Sequence, residues 1–286
     1  MSTCYLNGEF MPIGEARISV LDRGFIFGDG VYEVIPAYAR QLFFPDWHMN
    51  RLQASADGIK LTNPHSRERW GELIQALIER NEWDDQSIYI QVTRGVAPRN
   101  HAFPNGVKPT VFMMSGPLAT PAPALYERGV PAITLEDNRW LRCNLKTTAL
   151  LANCLLRQEA EEAGCPEAVL LRDGYLTEAS SCNVFAVKGG TILTPPKDNL
   201  ILPGITYDVV IDLAQSGGLP IEVRKVSTEE VRSADELWLT SSTKEVMPIT
   251  SLDDRPVGTG RPGPMYHRMR ALFDAAKPKR RNAAHA

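Results

Sequence analysis

Four short segments of this chain place a nucleophile, an acid, an anion cradle and a pair of carboxylate-gripping groups within reach of one chemistry. Lys146 lies in 138–151 (NRWLRCNLKTTALL). Its amine, when neutral, can attack a carbonyl and afterwards carry a proton. Glu178 lies in 175–185 (YLTEASSCNVF), and a carboxylate there would favour the charged form of a cationic nitrogen beside it. The run 202–208 (LPGITYD) reads as a tight turn at Gly204 opening a helix. The amides of Ile205 and Thr206 and the Thr206 hydroxyl then suit an anion. Finally, Arg99 and His101 in 98–104 (PRNHAFP) offer a planar guanidinium and an imidazole to a carboxylate.

Each segment also has a bland reading. Lys146 is one of nine lysines, and an arbitrary lysine is a solvated charge. T-E-A-S reads as a turn or helix cap, P-G-I-T as a turn before a helix, and R-N-H as a solvated pair in a polar loop. Residue type and spacing alone leave these alternatives open.

The elements that must position these residues are partly legible. Trp70, Leu73, Ile74, Leu77 and Ile78 recur at helical spacing and predict an amphipathic helix ending near Asn81. Alternation over 87–94 and a β-branched run over 110–114 predict strands. Between them, 95–108 is a Gly-, Pro- and Asn-rich loop. Three prolines in 115–124 mark a stiff connector. Beyond it, strands are expected at 130–135, 168–172, 184–187, 191–194 and 236–240. An apolar helical stretch follows Lys146, with Leu150, Leu151, Cys154 and Leu155 on one face and Gly164 as its stop. The pattern at 227–230 is a capping box. The expected organisation is a mixed α/β protein of two domains: 1–115, a connector at 116–124, and 125–276 carrying Lys146. A polar, disordered tail is expected over 277–286.

With 286 residues, 43% of them hydrophobic, the chain can bury a sizeable core. A net charge of −3 with both signs mixed suggests neither a nucleic-acid face nor a polybasic membrane patch. No apolar run is long enough to span a bilayer. Five cysteines without a C-x-x-C pair, in a chain opening without a basic, apolar signal sequence, suggest a reduced, cytoplasmic protein. The five histidines are scattered, so no metal site is expected.

Taken together, these segments with 23–33 (RGFIFGDGVYE) resemble the fold-type IV pyridoxal-phosphate enzymes, most closely the D-amino acid transaminases. The resemblance covers nearly the whole chain. It implies two α/β domains with pyridoxal 5′-phosphate in the cleft between them and a Schiff base on Lys146, which also serves as general base. Such a lysine has its amine pKa depressed by burial and nearby positive charge. Glu178 would face the pyridine nitrogen and keep it protonated. The phosphate would be held by Gly204, Ile205 and Thr206, with Leu202 beside them, Arg51 as cation and Ser242 as a further hydroxyl. Tyr32, Arg99 and His101 would hold the substrate carboxylate, the loop reaching a neighbouring subunit's pocket in a homodimer. Two positions depart from the family pattern: Cys182 stands where serine is more usual, and Tyr207 where arginine is common. The implied reaction is a ping-pong exchange of amino groups between D-amino acids and 2-oxo acids, of the type D-alanine plus 2-oxoglutarate giving pyruvate and D-glutamate. Branched-chain L-amino acid aminotransferases share much of the pattern, and aminodeoxychorismate lyase shares the lysine.

Overall fold

The computed structural model describes residues 2–278, so the tail expected over 277–286 lies outside the described residues from 279 onward. The chain divides into two compact units. The first runs to Ala119 and includes the short stretch Leu145–Leu150; the second comprises Thr120–Asn144 and Leu151–Lys277.

The first unit is an antiparallel sheet with its two long helices packed on one face. Its strands are β1 (Thr3–Leu6), β2 (Glu9–Pro12), β3 (Gly30–Tyr38), β4 (Gln41–Leu42), β5 (Gln86–Thr93) and β6 (Thr110–Pro117), in the order β2-β1-β6-β5-β3-β4. Alternation sets the faces: Ile88, Ile90 and Val92 of β5 join Val31, Ile35, Val111 and Met113 in the core. Helices α1 (Arg23–Phe27), α2 (Pro45–Gly58) and α3 (Arg67–Glu79) belong to this unit. Helix α3 starts where the Ser66 side chain accepts from the Arg69 amide. Its five spaced apolar residues are all buried, as their periodicity predicts.

The second unit is built on a nine-stranded mixed sheet. Its strands are β7 (Val130–Glu136), β8 (Ala168–Arg172), β9 (Tyr175–Ala179), β10 (Asn183–Lys188), β11 (Thr191–Thr194), β12 (Ile221–Val223), β13 (Glu236–Ser241), β14 (Glu245–Leu252) and β15 (Arg255–Pro256). They run β12-β11-β10-β13-β14-β7-β8-β9, with β15 on β14. Helices α4 (Pro123–Arg128), α5 (Leu151–Glu162), α6 (Ile205–Ser216), α7 (Thr228–Arg232) and α8 (Pro264–Ala276) complete it. Strand β13 is buried on both faces. Leu237 and Leu239 enter a cluster with Val231 and Ala234, while Trp238 stands among Phe185 and Tyr266. A strand covered on both sides reads as a continuous apolar run, which E-L-W-L-T does. The capping box expected at 227–230 forms at α7, with the Ser227 and Glu230 side chains each meeting the other's backbone amide.

Two features differ from the sequence expectations. Lys146 groups with the first unit rather than with the residues around it in sequence, because its segment is bonded into that unit. The Tyr32 amide donates to the Lys146 carbonyl at 3.0 Å, the Lys146 amide to Ser55 Oγ at 3.1 Å, and the Thr148 amide to the Gly30 carbonyl at 3.0 Å. Second, helix α5 buries Leu156 and Ala160, not the face that its apolar spacing picks out. Leu151 and Leu155 are 74% and 56% exposed, and Cys154 is exposed too.

Leu77 is fully buried in α3 beneath the first sheet. Leu77→Ala should destabilise the first unit by about 2–5 kcal/mol through lost burial plus a cavity, read as a lowered urea midpoint with the first sheet's amides exchanging faster.

Candidate functional site

The candidate residues fall into one group on each unit. On the first unit, Lys146 sits half-buried with its amine 4.2 Å from the centre of the Tyr32 ring. The turn that brings it there depends on Gly28, which caps α1 at φ +65° and where an added Cβ would stand 3.2 Å from the Ala149 Cα. Thr148 Oγ1 donates to the Gly28 carbonyl at 2.8 Å.

Beneath Tyr32, Glu33 is fully buried and carries two partners. Arg51 donates from Nε at 2.7 Å and Nη2 at 2.8 Å, and His48 Nδ1 donates at 2.8 Å. Burial opposes the Glu33 charge, but the Arg51 guanidinium and the hydrogen bonds win and hold the carboxyl far below its usual range. His48 is pushed down, first by burial and then by the charges of Arg51 and Lys146, against the pull of Glu33. Because the Glu33 carboxylate can only accept, Nδ1 carries a proton, and Nε2 is buried without a hydrogen-bond partner among the described residues. Arg51, expected as a phosphate partner, is thus held by Glu33.

Arg99 and His101 occupy the exposed loop after β5, each within 5.5 Å of the Phe27 ring (5.4 Å for the guanidinium carbon, 5.4 Å for the imidazole centre). Tyr32 stacks on Tyr89 at 5.7 Å on the sheet face opposite α2 and α3. A cleft of about 340 Å³ also opens in this unit, between Leu6, Ile13, Ile18, Gln91 and Phe112. It contains none of the expected site residues.

On the second unit, Glu178 stands one residue before the end of β9, almost completely buried. Arg139 Nη1 donates to Oε1, while Asn183 Nδ2 and the Leu202 amide both donate to Oε2 at 3.1 Å. Arg139 is itself gripped two-pronged by Asp137 at 2.8 Å on each oxygen. Burial pushes the Glu178 carboxyl up to about 7, and the Arg139 charge and these hydrogen bonds offset only part of that. The turn after Glu178 is anchored by buried Glu167, which accepts from the Ser181 amide and hydroxyl, each at 2.8 Å, and from Lys244 Nζ at 2.6 Å.

Helix α6 begins at Ile205 behind Gly204, with no side chain capping its first turn. A Cβ on Gly204 would stand 2.1 Å from Asn183 Oδ1, so glycine is required here by space, since its φ of −68° is ordinary. Ile205 and Thr206 are buried. Thr240, on the strand that leads to Ser242, is buried with its hydroxyl unpartnered among the described residues. An uncapped helix start of twelve residues, a glycine that a side chain would block and an orphaned hydroxyl form a donor set suited to a phosphate. Ser242 is half-buried in the turn after β13. Tyr207, where the family often has arginine, is fully buried and donates to the Pro195 carbonyl at 2.8 Å.

Sequence reasoning did not single out Arg139, Asp137, Asn183, Glu33 or His48. Arg139 and Arg142 stand in the same segment, and nothing in it separates the buried arginine from the exposed one. Among the described residues, no cluster of His, Cys, Asp and Glu could hold a metal ion, and no helix is long and apolar enough to cross a membrane.

Comparison with known proteins meets this geometry. The chain is 42% identical over 259 residues to the D-alanine aminotransferase of Bacillus licheniformis, covering 91% of each chain. It is 40% identical over 275 residues to that of Staphylococcus epidermidis, covering 96% of this chain and 97% of the relative. Among solved structures, the branched-chain amino acid aminotransferase of Escherichia coli superposes with a TM-score of 0.90 at 26% identity, covering 98% of this chain and 97% of that one. The branched-chain enzyme of Thermoproteus uzoniensis, solved with norvaline, gives 0.85 at 27% identity, covering 96% and 93%. Another branched-chain enzyme, solved with pyridoxamine 5′-phosphate, gives 0.90 at 28% identity, covering 98% and 95%. The family described as amino-transferase class IV matches residues 30–252, and with this fold, the lysine and glutamate groups and relatives at 40% identity and above, the chain belongs to that family.

Proposed function

We propose that this protein transfers amino groups between D-amino acids and 2-oxo acids, with pyridoxal 5′-phosphate as cofactor and Lys146 as the residue that binds it covalently. The observation that carries the reading is Lys146 stitched by both flanking peptides beside Tyr32, in a chain 42% identical to a D-alanine aminotransferase. When bound, pyridoxal phosphate supplies the aldehyde that takes up the amino group and a ring that withdraws electrons from the substrate α-carbon.

The remaining roles belong to the chain. The Lys146 amine anchors the cofactor and, once freed, moves a proton between the substrate α-carbon and the cofactor C4′. Glu178 keeps a proton on the pyridine nitrogen, with Arg139, Asn183 and the Leu202 amide fixing its orientation. Gly204, Ile205, Thr206 and Ser242 hold the phosphate, and Arg51, with Nε and Nη2 taken by Glu33, lends its positive charge. Tyr32, Arg99 and His101 bind the substrate carboxylate, the guanidinium matching its two oxygens. Solved neighbours named as branched-chain enzymes support a second reading, L-leucine-type transamination. The Arg99 and His101 pair and the more similar D-alanine relatives favour the first.

The working unit we infer is a cytoplasmic homodimer in which the Arg99 loop serves the partner's Lys146. Each unit leaves large apolar side chains exposed, Phe25 at 69% on the first and Leu141 at 63% and Leu151 at 74% on the second.

Three outcomes test this function. Borohydride should fix the cofactor onto the wild-type protein and not onto Lys146→Ala, whose transamination of D-alanine with 2-oxoglutarate should fall by at least about a thousandfold. Activity with L-leucine and not D-alanine would move the assignment to the branched-chain reading. Because Glu178 is pushed up to about 7, acid neutralises it, so cofactor affinity should weaken as pH falls through that value. Glu178→Gln should lose that difference between about pH 6 and about pH 8, together with about a hundredfold of activity. Finally, co-refolding Lys146→Ala with Arg99→Ala should restore about a quarter of wild-type activity if sites are shared in a symmetric dimer. Zero recovery would mean each subunit is self-sufficient.

A further inference from the structure

Arg23 lies at the centre of a buried charge cluster in the first unit for which the chemistry above has no use. It is 3% exposed, and its three nitrogens point three ways. Nε donates to Asp29 Oδ2 at 2.7 Å. Nη1 donates to the Asn100 carbonyl at 2.5 Å and reaches that of Ala102 at 3.4 Å, while Nη2 reaches the His101 carbonyl at 3.4 Å. One guanidinium thus gathers three successive carbonyls of the loop whose side chains include Arg99 and His101. A lysine, with a compact point charge, could not span that set.

The cluster is braced from the strand side. Arg94 holds Asp29 by both oxygens, at 2.8 and 3.0 Å, and lies 3.6 Å from the centre of the Phe103 ring, which Arg23 also approaches. At the loop base the Arg23 amide donates to the Gly95 carbonyl and the Ala97 amide to that of Leu21. Burial works against the Asp29 charge, yet the bonds from Arg94 and Arg23 hold its carboxyl below the usual range. With the carbonyls of residues 100–102 turned inward, the flanking side chains face outward. Arg99 and His101 are exposed and both lie against the Phe27 ring, on the helix that Arg23 begins. An exposed loop of polar residues left to itself would lose conformational entropy on closing around a ligand.

We propose that Arg23 is a positioning residue for substrate recognition: by clamping the backbone of residues 100–102 it pre-sets Arg99 and His101 for a ligand carboxylate. This rests on the reading that those two residues bind the carboxylate, and the test keeps the two claims apart.

The test uses the holoenzyme with Arg23→Met, Arg23→Lys, Arg99→Met and the double variant Arg23→Met/Arg99→Met. It reads KM and kcat for D-alanine, the competitive inhibition constant of propionate, which has the carboxylate and no amine, and the cofactor absorbance and melting temperature of each variant. Arg23→Met should raise KM and the propionate constant together, on the order of tenfold, with kcat changed less than about threefold and the cofactor spectrum unaltered. Arg23→Lys, which keeps the charge and loses the fork, should fall between; it also stands in if Arg23→Met does not fold. In the Arg99→Met background the Arg23 change should add little, since its effect passes through that loop. Unchanged propionate binding in both Arg23 variants, or effects that add fully in the double variant, would overturn the positioning role. If Arg99→Met itself leaves KM and propionate binding unchanged, the carboxylate reading fails first and takes this role with it.

Discussion

The structure depends on a stitch of backbone hydrogen bonds. Lys146 is a flexible side chain whose usefulness rests on where its Cα stands, and that is settled by Tyr32 and Ser55 bonding to the peptides on either side of it. Thr148 extends the stitch to the carbonyls of Gly28 and Gly30. The glycines of the G-D-G run permit this approach, because a side chain on Gly28 would meet the Ala149 backbone. Tyr32 takes part in the stitch through its amide and stands under the lysine amine with its ring, so one residue fixes both the backbone and the amine of Lys146.

Around this frame, buried charge is handled by pairing. Glu33 with Arg51 and His48, Asp29 with Arg23 and Arg94, and Glu178 with Arg139 and Asp137 each put carboxylates where water is scarce. Such groups add little net stability, but breaking one partner costs about 3–5 kcal/mol, because an unmatched charge stays behind. Rigidity is what they supply. The first two pairs oppose desolvation fully, with Glu33 and Asp29 held ionised. Glu178 differs: burial outweighs Arg139, so its charge is poised to respond to a cation placed against it.

Much of the fold was legible because alternation and helical spacing report directly on burial. The spaced residues of α3 and the alternating β5 were identified within a residue or two, and Ser227 and Glu230 formed their box. Reading failed where the decisive contact is remote in sequence. The six residues around Lys146 carry no mark of the unit they join. On α5 the apolar spacing identifies a face without saying what covers it, and the core took Leu156 and Ala160 instead. The lysine, glutamate and helix-start segments stood out only through resemblance. Their supports, Arg139, Asn183, His48 and Arg23, are polar residues that look solvated on paper and become structural through partners up to 79 positions away.

The route of the chain around Lys146 bears on modularity. The polypeptide leaves the first unit at Ala119, begins the second, and returns for Leu145–Leu150 before leaving again. A gene cut after Ala119 would therefore yield a leading fragment whose sheet lacks the Lys146 segment and a trailing fragment whose Lys146 segment lacks that sheet. Recombining halves from related enzymes meets the same obstacle, since the graft must preserve a six-residue insert's match to a foreign strand.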